Sequence, residues 1–105
     1  MNKMVVLAKA APGKVEELAT WYDEVHLKDL LAIEGVASVE RHTMMTVKQP
    51  EGTPQWDFLL VYELEGDSPM FALGNMAKAN LSSSDCIASV STLSVIGTSL
   101  GVMAK

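Results

Sequence analysis

The chain has 105 residues, 8 Lys plus Arg against 13 Asp plus Glu, a net charge of −5 and 49 % apolar residues. That is the size of a single domain, residues 1–105, and too apolar for a disordered chain. An acidic chain without a basic cluster argues against nucleic acid and anionic membrane surfaces as partners, and a lone cysteine, Cys86, with no Cys/His set at zinc spacing argues against a disulfide scaffold or a metal site.

The chain opens on a basic residue and an apolar run, 4–8, that Lys9 interrupts. A secretory core needs roughly 7–15 apolar residues, so residues 3–10 read as a first strand, and a cytoplasmic protein is expected. The longest apolar run elsewhere, 58–62, is far short of the roughly 20 residues that span a bilayer. Pro12-Gly13 stops the strand. From Lys14 the apolar residues Val15, Leu18, Ala19, Tyr22, Val25, Leu30 and Ile33 recur at helical steps, with Glu16 and Glu17 in the first turn, where they favour the helix dipole. The helix should end near Glu34, with Gly35 as its stop.

Residues 35–47 are rich in β-branched side chains and read as strand two, and residues 48–54, with two prolines and a glycine, as a loop. Strand three is expected over 57–64. Glu65-Gly66-Asp67-Ser68-Pro69 then supplies a turn, a capping residue and a first-turn proline for a helix over 70–79. A polar loop, 81–85, leads to a Ser/Thr/Val/Ile segment, 87–103, that should hold strand four. The order β-α-β-β-α-β predicts an α+β, ferredoxin-like fold: an antiparallel four-stranded sheet with both helices on one face.

The strands do not alternate as half-exposed strands should. Phe58, Leu60, Tyr62 and Leu64 share one face of strand three, yet Leu59 and Val61 make the other apolar too; on strand one Val5 and Leu7 oppose Met4, Val6 and Ala8. Monomers rarely expose so large an apolar patch, which predicts a homodimer packed sheet on sheet.

The densest polar cluster is residues 21–29. Tyr22, His26 and Asp29 lie four and three residues apart and so share one side of the first helix. An imidazole there exchanges protons near neutrality, and Asp29 is placed to hold its other ring nitrogen and set the tautomer. The alternative is a structural histidine at the edge of the core. Arg41 and His42 are adjacent on strand two and must face opposite ways, so only one can line a pocket with His26; the more apolar company of Arg41 favours the helix side. Tyr62, on the all-apolar face of strand three, needs a partner for its hydroxyl or orients a ligand.

Trp21 and Trp56 are candidate pocket walls, and Met44, Met45, Met70 and Met76 a soft lining. Cys86 follows Asp85, which opposes thiolate formation. Residues 97–101 lack the spacing and lysine of a phosphate loop.

The stretch Trp21-Tyr22-x-x-x-His26-x-x-Asp29-Leu30-Leu31-x-Ile33-x-Gly35-Val36, followed by Arg41-His42, resembles the tryptophan-histidine helix and glycine turn of the dimeric α/β-barrel superfamily, in particular its EthD-like members. Many members have proline before the glycine where this chain has Glu34. The resemblance covers residues 14–42 best and implies a ferredoxin-like protomer, dimerisation through the sheets, a pocket between sheet and helices, and His26 as the leading site residue. Superfamily members include polyketide cyclases, cofactor-free monooxygenases, isomerases and haem-degrading enzymes.

The expectation is therefore a cofactor-independent cyclase, isomerase, lyase or monooxygenase, acting on a small, largely apolar carbonyl or phenolic compound. Catalysis falls to His26, with Tyr22, Asp29, Arg41, His42 and Tyr62 as candidate substrate contacts. The alternatives are a non-catalytic binding protein and a haem-handling protein with a histidine as axial ligand.

Overall fold

The computed structural model describes residues 2–79, 81, 84 and 86–105, with the backbone alone for 87–91. Four strands, β1 (Asn2–Ala10), β2 (Val36–Thr43), β3 (Phe58–Leu64) and β4 (Ile87–Thr98), form one antiparallel sheet in the order β2-β3-β1-β4. The first helical segment is α1 (Val15–Trp21), a π-helical turn over Tyr22–His26 and α2 (Leu27–Leu31); the second is α3 (Met70–Lys78). This is the ferredoxin-like α+β fold that the element order predicts. Of the expected polar loop, residues 82, 83 and 85 lie outside the described residues.

The helices cover one face of the sheet because that face carries the largest side chains. Val6 and Ala8 of β1 and Phe58, Leu60, Tyr62 and Leu64 of β3 are buried against Leu18, Tyr22, Leu27, Leu30 and Ile33 of the first helical segment and Ala72 of α3. At about 25 cal/mol for each Å² of apolar surface removed from water, this layer is the main favourable contribution to folding. Gly35 fixes the exit from α2. Its φ of +100° suits glycine, and a Cβ there would lie 2.9 Å from Phe71 and 3.1 Å from Ala72, so α3 packs directly over the turn. Asn75 of α3 donates a hydrogen bond to the Glu34 carbonyl at 2.7 Å and seals that junction.

Strand two is shorter than its composition suggests. It ends at Thr43, whose partner Phe58 is the first residue of β3, so Met44 to Val47 have no neighbouring strand to pair with. Proximity to β-branched residues does not make a strand without a ladder. β2 also carries a bulge between Val36 and Ser38, which leaves both Val36 and Val39 on the helix side.

Among the described residues no helix covers the other face of the sheet. Directly paired residues of neighbouring antiparallel strands point the same way, and here they form two apolar rungs: Leu59–Leu7–Leu93 and Val61–Val5–Val95. A polar rung, Glu63–Lys3–Gly97, lies beyond them, with an ion pair of 3.7 Å between Lys3 and Glu63. On β2 the same face continues as His42, Glu40 and Ser38.

Candidate functional site

The site is built on the π-helical turn. Within it the Leu27 N–H reaches the Tyr22 carbonyl, five residues back, and the widened turn brings together side chains that an α-helix keeps apart. His26 stacks on Trp21 with ring centroids 4.6 Å apart and planes 15° from parallel. Tyr22 meets the His26 ring edge-on at 5.6 Å and Phe58 of β3 edge-on at 6.3 Å. Beyond Phe58, the Arg41 guanidinium lies 5.0 Å above the ring centroid. One aromatic row thus runs from Trp21 through His26 and Tyr22 to the sheet.

The His26 ring is half-buried, and its Nδ1 is buried without a hydrogen-bond partner among the described residues. Burial lowers the pKa of the imidazole below its ordinary 6.5, and the Asp29 carboxylate pulls it only partly back. The ring is therefore neutral at pH 7. Asp29 does not make the contact that the sequence spacing suggests. A helical side chain leans toward the N-terminus of its helix, which carries His26 toward Trp21 and away from Asp29; the carboxylate acts on the ring by charge and forms no hydrogen bond with it.

Tyr22 and Tyr62 are both buried on the helix side of the sheet. Loss of solvent pushes the Tyr22 phenol up to about 12 and that of Tyr62 higher still, with the nearby Tyr22 adding to the effect on Tyr62. Both stay protonated near neutrality, so each hydroxyl donates and accepts hydrogen bonds without carrying charge.

Of the adjacent pair on β2, Arg41 faces the helices. It does not point freely into a pocket: Nε and Nη2 donate to the two carboxylate oxygens of Asp23 at 2.9 and 2.7 Å, a bidentate pair that holds the Asp23 carboxyl below its usual range. His42 faces the opposite side, paired with Glu40, and so does not join His26. The sheet lies between the two histidines. Asp23 is the partner that sequence reading missed; an aspartate at the start of a helical turn carries no signal for a strand residue eighteen positions away.

A groove of about 560 Å³ runs beside the aromatic row, lined by Glu16, Glu17, Thr20, Trp21, Glu24 and Val25 of the helix and by Ser84 and Cys86. Trp21 belongs to both features, since it stacks on His26 and walls the groove. The groove is more acidic than the apolar pocket expected between sheet and helices, and His26 does not itself line it. Among the described residues no three His, Cys, Asp or Glu side chains gather to hold a metal ion, and no helix is long and apolar enough to cross a membrane.

No family model matches the chain, and no curated protein matches it. Among solved structures it is similar to an ethyl tert-butyl ether D (EthD) family protein of Bacillus halodurans C-125, with 15 % identity, 95 % of this chain and 99 % of that chain covered, and a TM-score of 0.54. Lesser likenesses are to FFRP-DM1, at 18 % identity, 93 % and 100 % coverage and a TM-score of 0.46, and to a hypothetical protein of Pyrococcus horikoshii, at 20 % identity, 93 % and 90 % coverage and 0.36. The first of these shares the ferredoxin-like fold described above.

Proposed function

We propose that the chain is a single-domain, cytoplasmic, homodimeric enzyme that needs no cofactor and moves a proton on a small, largely apolar carbonyl or phenolic compound, with His26 as the base. The observation that carries this reading is the His26 ring itself: neutral at pH 7, held between Trp21 and Tyr22, and with a buried nitrogen that has no partner among the described residues. An unsatisfied buried polar atom costs roughly 1–3 kcal/mol, a cost that an incoming hydroxyl or carbonyl offsets. The likeness in fold to an EthD family protein supports the architecture and leaves the reaction open.

In the proposed reaction the neutral imidazole accepts a proton from a carbon next to a carbonyl or from a phenolic hydroxyl. The imidazolium then returns the proton at another atom, so charge and atoms balance without a redox partner. Cyclisation, isomerisation and lyase cleavage all begin with such a transfer. The rings of Trp21 and Tyr22 offer flat apolar contact to an aromatic substrate, and the buried Tyr62 hydroxyl is a candidate donor to its oxygen. The sheet face away from the helices supports the homodimer, since the rungs through Val5 and Leu7 form an apolar patch of the kind that monomers rarely leave bare.

The test is hydrogen–deuterium exchange at the α-carbons of a panel of aryl β-diketones and hydroxynaphthoquinones in D₂O, followed by proton NMR. Exchange accelerated above buffer for at least one compound is the expected result. Compounds that bind by calorimetry with no acceleration anywhere would make the chain a binding protein and overturn the enzymatic reading.

A further inference from the structure

The large apolar residues that stand out furthest from the chain are confined to two segments. Met45 and Val47 follow β2, Leu100, Val102 and Met103 follow β4, and all five are exposed by between 84 % and 102 %; every other large apolar side chain among those described is better covered. Water contact of this extent on so many apolar groups is costly at about 25 cal/mol per Å². Singly exposed apolar residues are ordinary, but two clusters at chain segments free of regular structure are not.

The two segments lie at opposite ends of the uncovered sheet face. Met44, Met45 and Trp56 border a groove of about 370 Å³ whose floor is Leu7 and Leu93, one end of the apolar rungs. Val102 borders a second groove with Lys3, Glu63 and Gly97, the polar rung at the other end. A two-fold axis that stacks two such faces must lie in the plane between them. When it runs across the strands, each copy's Lys3 end covers its partner's Leu7 end. The two ends are four residues apart along β1, roughly 13 Å at about 3.3 Å per residue, and packed sheets are separated by about 10 Å. Residues 99–105 reach roughly 23 Å when extended, so the span is within their length. Gly101, at a φ of +130°, has a backbone conformation that favours glycine.

We propose that residues 99–105 are an exchanged arm: Leu100, Val102 and Met103 of each copy enter the Met44–Met45–Trp56 groove of the other. The exchange rests on the homodimer proposed above and completes it, because each copy then supplies part of the wall of its partner's groove. About the two-fold axis each copy both gives an arm to its partner and receives one from it, so the arrangement closes at two copies.

Three measurements separate the arm from the dimer. Sedimentation equilibrium of the full chain at micromolar concentration should give a dimer; a monomer would overturn the dimer and the arm together. Removal of residues 99–105 should raise the dimer Kd by at least roughly 100-fold, since each arm loses three buried apolar side chains, with an unchanged circular dichroism spectrum; an unchanged Kd in a chain that still dimerises would overturn the arm alone. Mixing the single variants M103C and M45C under mild oxidation should yield a covalent heterodimer in at least tenfold excess over M103C joined to itself. A predominance of M103C homodimer would place arm against arm and contradict the exchange.

Discussion

Trp21 and His26 lie face to face, 4.6 Å between ring centroids, although they are five residues apart on one helical segment. Five steps of an α-helix, at about 100° each, would turn the two side chains roughly 140° away from one another. The π-helical turn over Tyr22–His26 narrows that offset, so a local change of helix type helps to assemble the candidate site.

If the stack shields the imidazole from water, thinning it must move the titration. Trp21→Leu should raise the pKa of His26 toward the ordinary 6.5, because desolvation is the main cause of its depression. Two-dimensional NMR of the imidazole, run from pH 4 to 8, reads this directly. An unchanged or lower value in the variant would show that the indole does not exclude water from the ring.

The same depression links stability to pH. The folded chain binds the His26 proton less readily than the unfolded chain, so protonation favours unfolding. This contribution is fully present above pH 6.5 and is lost as the pH falls through 6.5 toward the lower folded value. Urea midpoints between pH 5 and 8 should show a loss on the acid side that His26→Gln makes smaller. Identical slopes in the two proteins would contradict the link.

Leu59→Lys with Val61→Lys places one charge at the β3 end of each apolar rung, both on the uncovered face. Such a pair should raise the dimer Kd at least roughly 100-fold while leaving the helix-side core intact, since a buried unpaired charge costs several kcal/mol. Sedimentation at micromolar concentration distinguishes the outcomes: monomer is expected, and a dimer as tight as that of the parent would move the interface elsewhere.

Much of the fold was legible because it is written in periodicity. The single-face set Phe58, Leu60, Tyr62 and Leu64 and the three- and four-residue steps from Val15 to Ile33 locate β3 and the first helical segment, and the β-α-β-β-α-β order then leaves few topologies. What was not legible depends on partners distant in sequence. β2 stops at Thr43 because β3 supplies no further neighbour, and nothing in the apolar residues that follow says so. The π-helical turn carries neither proline nor glycine, and its one trace is the five-residue interval between Trp21 and His26. Tyr22 and His26 fall together as helical spacing suggests, whereas Asp29 falls short of the ring and Arg41 is engaged by Asp23, contacts fixed by side-chain direction rather than by position along the chain. The opposite facing of Arg41 and His42 follows from strand geometry alone; which of them faced the helices required the register.

The measurement that bears most directly on the proposed chemistry compares His26→Gln with the parent chain in the deuterium-exchange assay, on whichever diketone or naphthoquinone the parent turns over. Glutamine keeps a polar side chain of similar reach but has no group that titrates near neutrality. The exchange rate should fall by roughly 10²–10⁴-fold, the usual share of general acid–base catalysis, while circular dichroism and sedimentation remain those of the parent. In the parent the rate should rise with pH through the lowered pKa of His26, with its midpoint below 6.5, and level off once the base form is complete. A folded His26→Gln chain that exchanges at the parent rate would contradict the assignment of His26 as the base.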